Sequence, residues 1–253
     1  IELFKPLYRK LIGRKTNESY IRDFLMRINY FALTQEKTYA YLHDQGMTGA
    51  KFVDFSYYSM EESVGKELLD KRVAGDAILL GNSASLTNNH LDALDLLHRN
   101  EISGLDILVP LSYGDSKLKE RVKREGSQRF GDRFRPLEDF LPIAEYNKLM
   151  LDCGFVFMNH RRPQARGNIV TALWFGAKVF LNKENLLYQD FREKGLHVFP
   201  VSDIEEKKDT AFQRLPAEVV EHNRKILSEL YSYEAVLKRT RNLVDLLQKV
   251  KDN

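Results

Sequence analysis

The sequence lacks the features that mark several common protein classes. Its one cysteine, Cys153, excludes an internal disulfide framework and a cluster of thiolate metal ligands, and it is consistent with a reducing compartment. No apolar run reaches the roughly 18 to 20 residues that a membrane-spanning helix needs. The pattern G-x-G-x-x-G is missing, which argues against a dinucleotide-dependent dehydrogenase. The six histidines show no ligand spacing, so we predict no protein-held metal and no cofactor.

The composition is that of a folded chain with unevenly placed basic residues. Hydrophobic residues make up 43% and charged residues 30%, which favours a globular protein over a disordered one. The net charge is only +3, but residues 5–15 and 121–135 are rich in lysine and arginine. Such segments suit phosphates, acidic head groups or nucleic acid, and a solvated helix face explains them equally well. The first residue is Ile1 rather than Met, so we expect the N-terminal part to be incomplete.

Short apolar runs alternate with amphipathic segments over residues 76–215. The predicted strands are residues 76–82, 105–110, 155–158, 177–181 and 196–200, and the predicted helices between them include residues 117–125, 143–151 and 169–174. This alternation predicts an α/β fold with a doubly wound parallel sheet. Ligands of such sheets bind at the carboxyl ends of the strands, so the loops that follow the strands are the candidate sites.

We divide the chain into three parts. Residues 1–70 are typical of the closing portion of an earlier α/β domain, with strands near Tyr30 and Lys51 and a helix between them. Residues 71–216 hold the doubly wound unit. Residues 217–253 are predicted to form two helices that pack on it.

The first candidate loop follows the first strand of this unit. Gly81 allows the backbone to approach a ligand closely, and the start of the next helix favours an anion such as a diphosphate. Asn82 and Ser83 add short polar groups. An ordinary strand-to-helix turn with polar capping residues remains open as the alternative.

The second candidate loop, residues 159–168, is rich in arginine and also lies between a strand and a helix. His160, Arg162 and Gln164 precede Gly167 and Asn168 at the predicted helix start. Arginine offers a planar pair of donors for phosphate oxygens, and a helix start adds partial positive charge. We favour an anion site over a solvated basic loop, because both loops lie on the same edge of the predicted sheet.

A third loop follows the strand that ends at Leu181. Lys183 could meet a phosphate, and Glu184 could accept a hydrogen bond from a sugar or ribose hydroxyl. A plain surface turn is an equally good interpretation of the pattern.

Several blocks of the sequence resemble one family in order and spacing. They are residues 78–83, 89–94, 109–113, 145–146, 164–168, 181–185 and 189–190. The resemblance is to the TDP-N-acetylfucosamine:lipid II N-acetylfucosaminyltransferases, glycosyltransferase family 56. It implies a GT-B fold, with two Rossmann-like domains that face a cleft, and an N-terminal acceptor-side domain that is incomplete here. The segment from His160 to Arg166 is longer and richer in arginine than the family pattern.

The resemblance also implies an activity and partners. The donor would be dTDP-linked 4-acetamido-4,6-dideoxygalactose, and the acceptor a saccharide on undecaprenyl diphosphate, in the synthesis of enterobacterial common antigen or a related surface polysaccharide. The general base would come from the N-terminal domain, so the catalytic residue stays unknown. No D-x-D motif is present, so the metal-carrying motif of GT-A glycosyltransferases is missing. Another nucleotide sugar, or a non-catalytic nucleotide-binding module, remains possible.

These arguments define a set of donor-binding residues, in which Tyr113 enters through the resemblance alone. The set is Gly81, Asn82, Ser83, Tyr113, His160, Arg162, Gln164, Gly167, Asn168, Lys183 and Glu184. An apolar stripe between Leu3 and Ile12, flanked by basic residues, further predicts peripheral binding to an anionic membrane surface. We therefore expect the cytoplasmic face of the bacterial inner membrane, and no nucleic-acid partner.

Overall fold

A computed structural model describes residues 17–32, 35–102 and 104–251. They form two compact units, one of residues 58–238 and one that joins the residues up to Tyr57 with those from Arg239 onwards. The predicted functional division at residues 70 and 216 stays a prediction. The apolar stripe predicted between Leu3 and Ile12 lies outside the described residues.

The smaller unit contains two short parallel strands. Helix α1 (Asn17–Leu25) precedes β1 (Tyr30–Phe31), and α2 (Glu36–Asp44) precedes β2 (Lys51–Phe52). Phe31 pairs with Phe52 across the two strands. The strands and the helix predicted here are confirmed, although each strand is shorter than its apolar run.

The larger unit alternates strands with helices. In chain order its elements are α3 (Met60–Val64), β3 (Ile78–Leu80), α4 (His90–Arg99), β4 (Ile107–Pro110), α5 (Ser116–Phe130), β5 (Phe134–Leu137), α6 (Ile143–Met150), β6 (Phe155–Met158), α7 (Arg166–Phe175), β7 (Lys178–Leu181), α8 (Leu186–Glu193), β8 (Phe199–Pro200), α9 (Asp203–Glu206), α10 (Lys208–Ala211) and α11 (Ala217–Tyr231). A last helix, α12 (Tyr233–Lys251), follows, so two helices are present after residue 217, as predicted. From Arg239 onwards α12 belongs to the smaller unit, and the predicted packing of this second helix on the doubly wound unit stays a prediction.

The strands of the larger unit form one parallel sheet in the order β5-β4-β3-β6-β7-β8. The chain moves outwards from β3 to β4 and β5, and then returns to place β6 on the other side of β3, in register with it from Ile78 and Phe155 onwards. The strand order therefore reverses between β3 and β6. In doubly wound sheets the ligand crevice lies at this point, outside the carboxyl ends of the two strands.

Side chains of the central strands alternate between two cores, one on each face of the sheet. Leu79 and Val156 face the core that contains α7, whereas Ile78, Leu80 and Phe157 face the core that contains α4. All five are at most 1% exposed. Strands that are covered on both faces consist of continuous apolar residues, which is why these strands could be predicted from the sequence. Their burial fixes the two loops at the switch point.

Strand β5 was not predicted. It contains Arg135 and Pro136 and pairs with β4 at the edge of the sheet. Proline is tolerated on an edge strand because no partner needs its missing N–H. The basic segment around β5 is also largely paired, since Arg129 lies 3.3 Å from Glu125 and Arg135 lies 2.7 Å from Asp106. These pairs favour the solvated helix face over a ligand site for that segment.

Candidate functional site

Three loops meet at the switch point of the sheet. Asn82, after β3, donates from Nδ2 to the hydroxyl of Tyr113, after β4, over 3.1 Å. Its Oδ1 accepts from Nε2 of Gln164, after β6, over 3.2 Å. Oε1 of Gln164 accepts in turn from Oγ1 of Thr87 at 2.7 Å. The structure thus brings together Asn82 and Gln164, from two of the loops predicted from the sequence, with Tyr113, which the resemblance implied.

Gly81 lies where the backbone passes close to buried side chains. Its φ is +69°, in the left-handed region that favours glycine. A Cβ at this position would lie 2.6 Å from Nε2 of His90 and 2.9 Å from Oδ1 of Asn88. Helix α4 begins only at His90, after a 3₁₀ turn over Leu86–Asn88. The loop is therefore longer than a direct strand-to-helix turn.

Two residues of the predicted donor-binding set, Ser83 and His160, have buried side chains. Ser83 is 4% exposed, and its carbonyl oxygen accepts from Nδ2 of Asn88 at 2.9 Å. His160 is fully buried, with Nε2 2.7 Å from Oδ1 of Asn88. Burial lowers the pKa of His160 to about 3, with smaller contributions from His90 and Arg162. The imidazole is therefore neutral at physiological pH.

The start of α7 forms the opposite wall of the site. The prediction of a helix start next to Gly167 is confirmed, since α7 begins at Arg166. Ala165 precedes it with φ +55° and makes no side-chain cap, although alanine rarely adopts this conformation. In the described part of the chain, the N–H groups of Arg166, Gly167 and Asn168 have no acceptor. Such groups are available to an anion.

The three arginines of the second loop have different partners. Arg161 lies 3.5 Å from Glu184 in an exposed ion pair. The Arg166 guanidinium is turned away from the loops and donates to the Tyr231 hydroxyl. Arg162 is exposed and donates from Nε to Oε1 of Gln164 at 2.9 Å. Its terminal nitrogens have no partner among the residues that the structure describes, so Arg162 is the arginine best placed to meet a ligand.

The third loop supports the second one. Lys183 and Glu184 are exposed, whereas Asn185 is fully buried. Nδ2 of Asn185 donates to the carbonyl oxygens of His160 and Arg162, at 3.0 and 3.2 Å, while its Oδ1 caps α8 by accepting from the Leu187 N–H at 2.9 Å. The bond pattern makes Asn185 a support for the arginine-rich loop.

A cavity of about 180 Å³ opens beside these loops. Its walls come from the ends of β4 and β5, the start of α6 and the start of α7. Most of the lining is apolar or aromatic; the lining residues are Asn82, Pro110, Ser112, Tyr113, Leu137, Asp139, Phe140, Leu141, Ile143, Tyr146 and Asn168. Burial raises the pKa of Tyr146, so its hydroxyl stays neutral, and it accepts from Nδ2 of Asn168 at 3.3 Å. Asn82, Tyr113 and Asn168 thus border both the cavity and the loop junction.

Sequence reasoning missed the residues that hold the loops. Asn88 contacts two loops, and Nδ2 of Asn89 donates to the carbonyl oxygen of Asn159 at 2.8 Å. Nδ2 of Asn182 donates to Oδ1 of Asn159 at 3.0 Å. The one available signal was the density of asparagine after three successive inner strands. Asparagine is also a common turn residue, so this signal alone does not distinguish a support from a turn.

Solved structures of low sequence identity share the fold. Sucrose-phosphate synthase from Thermosynechococcus elongatus is 14% identical, with 90% of this chain and 61% of that one covered at a TM-score of 0.65. TarM is 14% identical, with 91% and 46% covered at a TM-score of 0.64. HepE of Anabaena, in complex with UDP-glucose, is 14% identical, with 92% and 68% covered at a TM-score of 0.60.

These neighbours are GT-B glycosyltransferases, which confirms the predicted fold class. The chain spans only 46 to 68% of their lengths. Its sequence matches the family described as "4-alpha-L-fucosyltransferase glycosyl transferase group 56" over residues 31–234. That match covers the sheet, the three loops and the cavity, so the chain belongs to glycosyltransferase group 56.

Proposed function

We propose that this chain holds the donor site of a glycosyltransferase that moves 4-acetamido-4,6-dideoxygalactose from dTDP to a saccharide on undecaprenyl diphosphate. The observation that carries the proposal is the junction of the Gly81 loop with the start of α7, next to an apolar cavity. Membership of group 56 supports sugar transfer. The particular sugar, nucleotide and acceptor rest on the sequence resemblance.

The donor diphosphate would lie between the Gly81–Asn82 backbone and the start of α7. The groups available to bind it are the unbonded N–H groups of Gly167 and Asn168 and the terminal nitrogens of Arg162, whose Nε donates to Gln164. Negative charge grows on the diphosphate as the bond to the sugar breaks. Fixed N–H groups and a guanidinium stabilise this charge without a metal ion.

The nucleobase would occupy the apolar cavity. A volume of about 180 Å³ is of the size of a single pyrimidine ring with its substituents, and Tyr113 and Phe140 offer aromatic faces at its rim. Leu137 and Ile143 present apolar surface to the methyl group that distinguishes thymine from uracil. Burying one methyl group contributes about 0.8 kcal/mol, so we expect dTDP to bind about fourfold more tightly than dUDP, which lacks only that methyl group.

The acceptor and the location of the enzyme belong to the same proposal. No helix in the described part of the chain is long and apolar enough to cross a bilayer. A lipid-linked acceptor requires access to a membrane surface, and the basic residues near the N-terminus of the sequence would provide electrostatic attraction to anionic lipid. We therefore propose peripheral association with the cytoplasmic face of the inner membrane in surface polysaccharide synthesis.

A calorimetric titration of the 253-residue chain with dTDP, UDP and GDP tests the donor site. We expect dTDP to bind most tightly and GDP, with its larger base, least. Arg162→Ala should weaken dTDP binding by about 1.5 to 3 kcal/mol, because a charged hydrogen bond is lost. Arg161→Ala is the matched control, since that guanidinium pairs with Glu184, and it should change dTDP affinity little.

Equal affinity of wild type and Arg162→Ala for dTDP would contradict the placement of the diphosphate. Transfer or hydrolysis assays with a panel of nucleotide sugars then identify the sugar. Binding of dTDP without turnover of any donor, by the full-length protein with a lipid-linked acceptor, would contradict the enzymatic part of the proposal.

A further inference from the structure

Asn88 and His160 form a buried pair directly behind the donor loop. They are 1% and 0% exposed. Oδ1 of Asn88 accepts from the N–H of Asn82 at 3.0 Å and lies 2.7 Å from Nε2 of His160. Nδ2 of Asn88 donates to the carbonyl oxygen of Ser83 at 2.9 Å, and lies 3.2 Å from the Ser83 hydroxyl. Asn88 therefore binds the loop backbone on both sides of the Asn82–Ser83 segment.

The bonds of Asn88 determine which nitrogen of His160 carries a proton. Because Nδ2 must donate to a carbonyl oxygen, the atom that faces His160 is the acceptor Oδ1. Nε2 of His160 must therefore donate, which places the proton of the neutral ring on Nε2 and leaves Nδ1 bare. Nδ1 has no partner among the described residues. This tautomer is a specific and measurable consequence of the geometry.

The backbone of His160 is fixed from the other side. Its carbonyl oxygen accepts from Asn185 Nδ2, and the preceding Asn159 accepts from Nδ2 of Asn89 at its carbonyl and from Nδ2 of Asn182 at its side chain. A continuous set of hydrogen bonds thus runs from the loop after β7, through His160 and Asn88, to the loop after β3. A shared partner of this kind makes the conformation of one loop depend on the others.

We propose that Asn88 and His160 are positioning residues, which hold the Gly81–Ser83 backbone in place for the donor diphosphate without touching the donor. The proposal rests on the proposed function, since it assigns the diphosphate to this loop. It gives His160 a different role from direct donor contact, because the ring is buried behind the loop. A charged ring would be unfavourable here, because burial removes its solvation and His90 and Arg162 disfavour positive charge on it.

The decisive experiment compares dTDP with thymidine as ligands of wild type and His160→Phe. Phenylalanine keeps the ring but removes the Nε2–H donor, so we expect dTDP to bind about tenfold more weakly. Thymidine lacks the diphosphate, so its affinity should not change. His160→Gln can return an amide N–H towards Asn88 and should recover most of the dTDP affinity. His98→Phe, on an exposed part of α4, is the control for the substitution itself.

The outcomes separate the two proposals. If wild type binds no nucleoside diphosphate, the proposed function fails. If wild type binds dTDP and His160→Phe binds it equally well, or loses thymidine binding to the same extent, the positioning role fails. A measurement on wild type keeps the proposal testable if His160→Phe does not fold. The ¹⁵N chemical shifts of His160 should report the Nε2–H tautomer from pH 8 to pH 5. An Nδ1–H tautomer or a charged ring would overturn the proposal.

Discussion

Replacing Gly81 by alanine tests the geometry of the donor loop through protein stability. The substitution forces a side chain into the left-handed region at φ +69°. It also places a Cβ 2.6 Å from Nε2 of His90 and 2.9 Å from Oδ1 of Asn88. Neither neighbour can move easily, because His90 is 2% exposed and Asn88 is held by hydrogen bonds to Asn82, Ser83 and His160.

The expected magnitude has two parts. Left-handed backbone costs an alanine roughly 1 to 2 kcal/mol, and insertion of a methyl group into a filled space costs roughly 1 to 3 kcal/mol more. Gly104 separates the two parts, because its φ is +75° and nothing lies within 4 Å of the corresponding Cβ position. Gly104→Ala should therefore lower the free energy of unfolding by the first part alone, and Gly81→Ala by both.

Urea unfolding followed by tryptophan fluorescence is the appropriate assay. The sequence has one tryptophan, Trp174, which lies in α7 with its indole N–H 3.0 Å from the carbonyl oxygen of Leu69. Its signal therefore reports on the larger unit, which contains both glycines. Equal losses of stability in the two variants would refute the argument that the loop backbone is pressed against His90 and Asn88.

Three further predictions concern pH, metal and membrane. Burial lowers the pKa of His90 to about 4 and that of His160 to about 3, whereas the unfolded chain takes up both protons near pH 6.5. The free energy of unfolding should therefore be highest above pH 6.5 and fall as the pH drops, with His90 contributing up to roughly 3 kcal/mol of the loss by pH 4. His90→Phe should remove that contribution; an unchanged dependence of the unfolding free energy on pH in this variant would contradict the assignment. Sugar transfer should keep its rate in EDTA, because in the proposed donor site N–H groups and Arg162 stabilise the diphosphate; activity lost in EDTA and restored by magnesium or manganese would count against this. The full-length protein should sediment with anionic but not neutral liposomes. Replacing Lys5, Arg9, Lys10 and Arg14 by Gln should abolish this preference for anionic lipid while dTDP binding persists. Equal sedimentation of the wild type with both lipids would exclude the electrostatic contribution.

The strands of the sheet could be predicted where their burial requires a run of apolar residues. Strand β6 was located to the residue, because four apolar residues from Phe155 to Met158 lie between Gly154 and Asn159. Strand β5 was missed, because an edge strand buries little and tolerates Arg135 and Pro136. The pairing partner of β5 is 27 residues away, from Ile107 to Phe134, and no local pattern records such a pairing.

The site could be predicted only in part. The loops after β3 and β6 were found because the carboxyl end of any strand in a parallel sheet is a candidate ligand site. In the structure, Asn82 contacts both Tyr113 and Gln164. The orientation of each side chain could not be predicted from the sequence, since two arginines of one loop have different partners. Arg162 donates to Gln164 in the loop, whereas Arg166, the first residue of α7, donates to Tyr231 of α11. Helical phase decides this, and it follows from where α7 begins.

The return of the chain from β5 to β6 affects how this protein folds while the ribosome is making it. Strands β3, β4 and β5 emerge from the ribosome in an order that lets them pair as soon as each is complete, but the inner edge of β3 stays unpaired until Phe155–Met158 follows. Asn168, which belongs to the first turn of α7 and to the proposed donor site, emerges later still. A nascent chain that ends before Phe155 has an open strand edge, which is prone to pairing with other chains. A chain that ends before Asn168 also lacks part of the proposed donor site. If the donor site is as proposed, nucleotide can stabilise the nascent chain only after Asn168 has been synthesised.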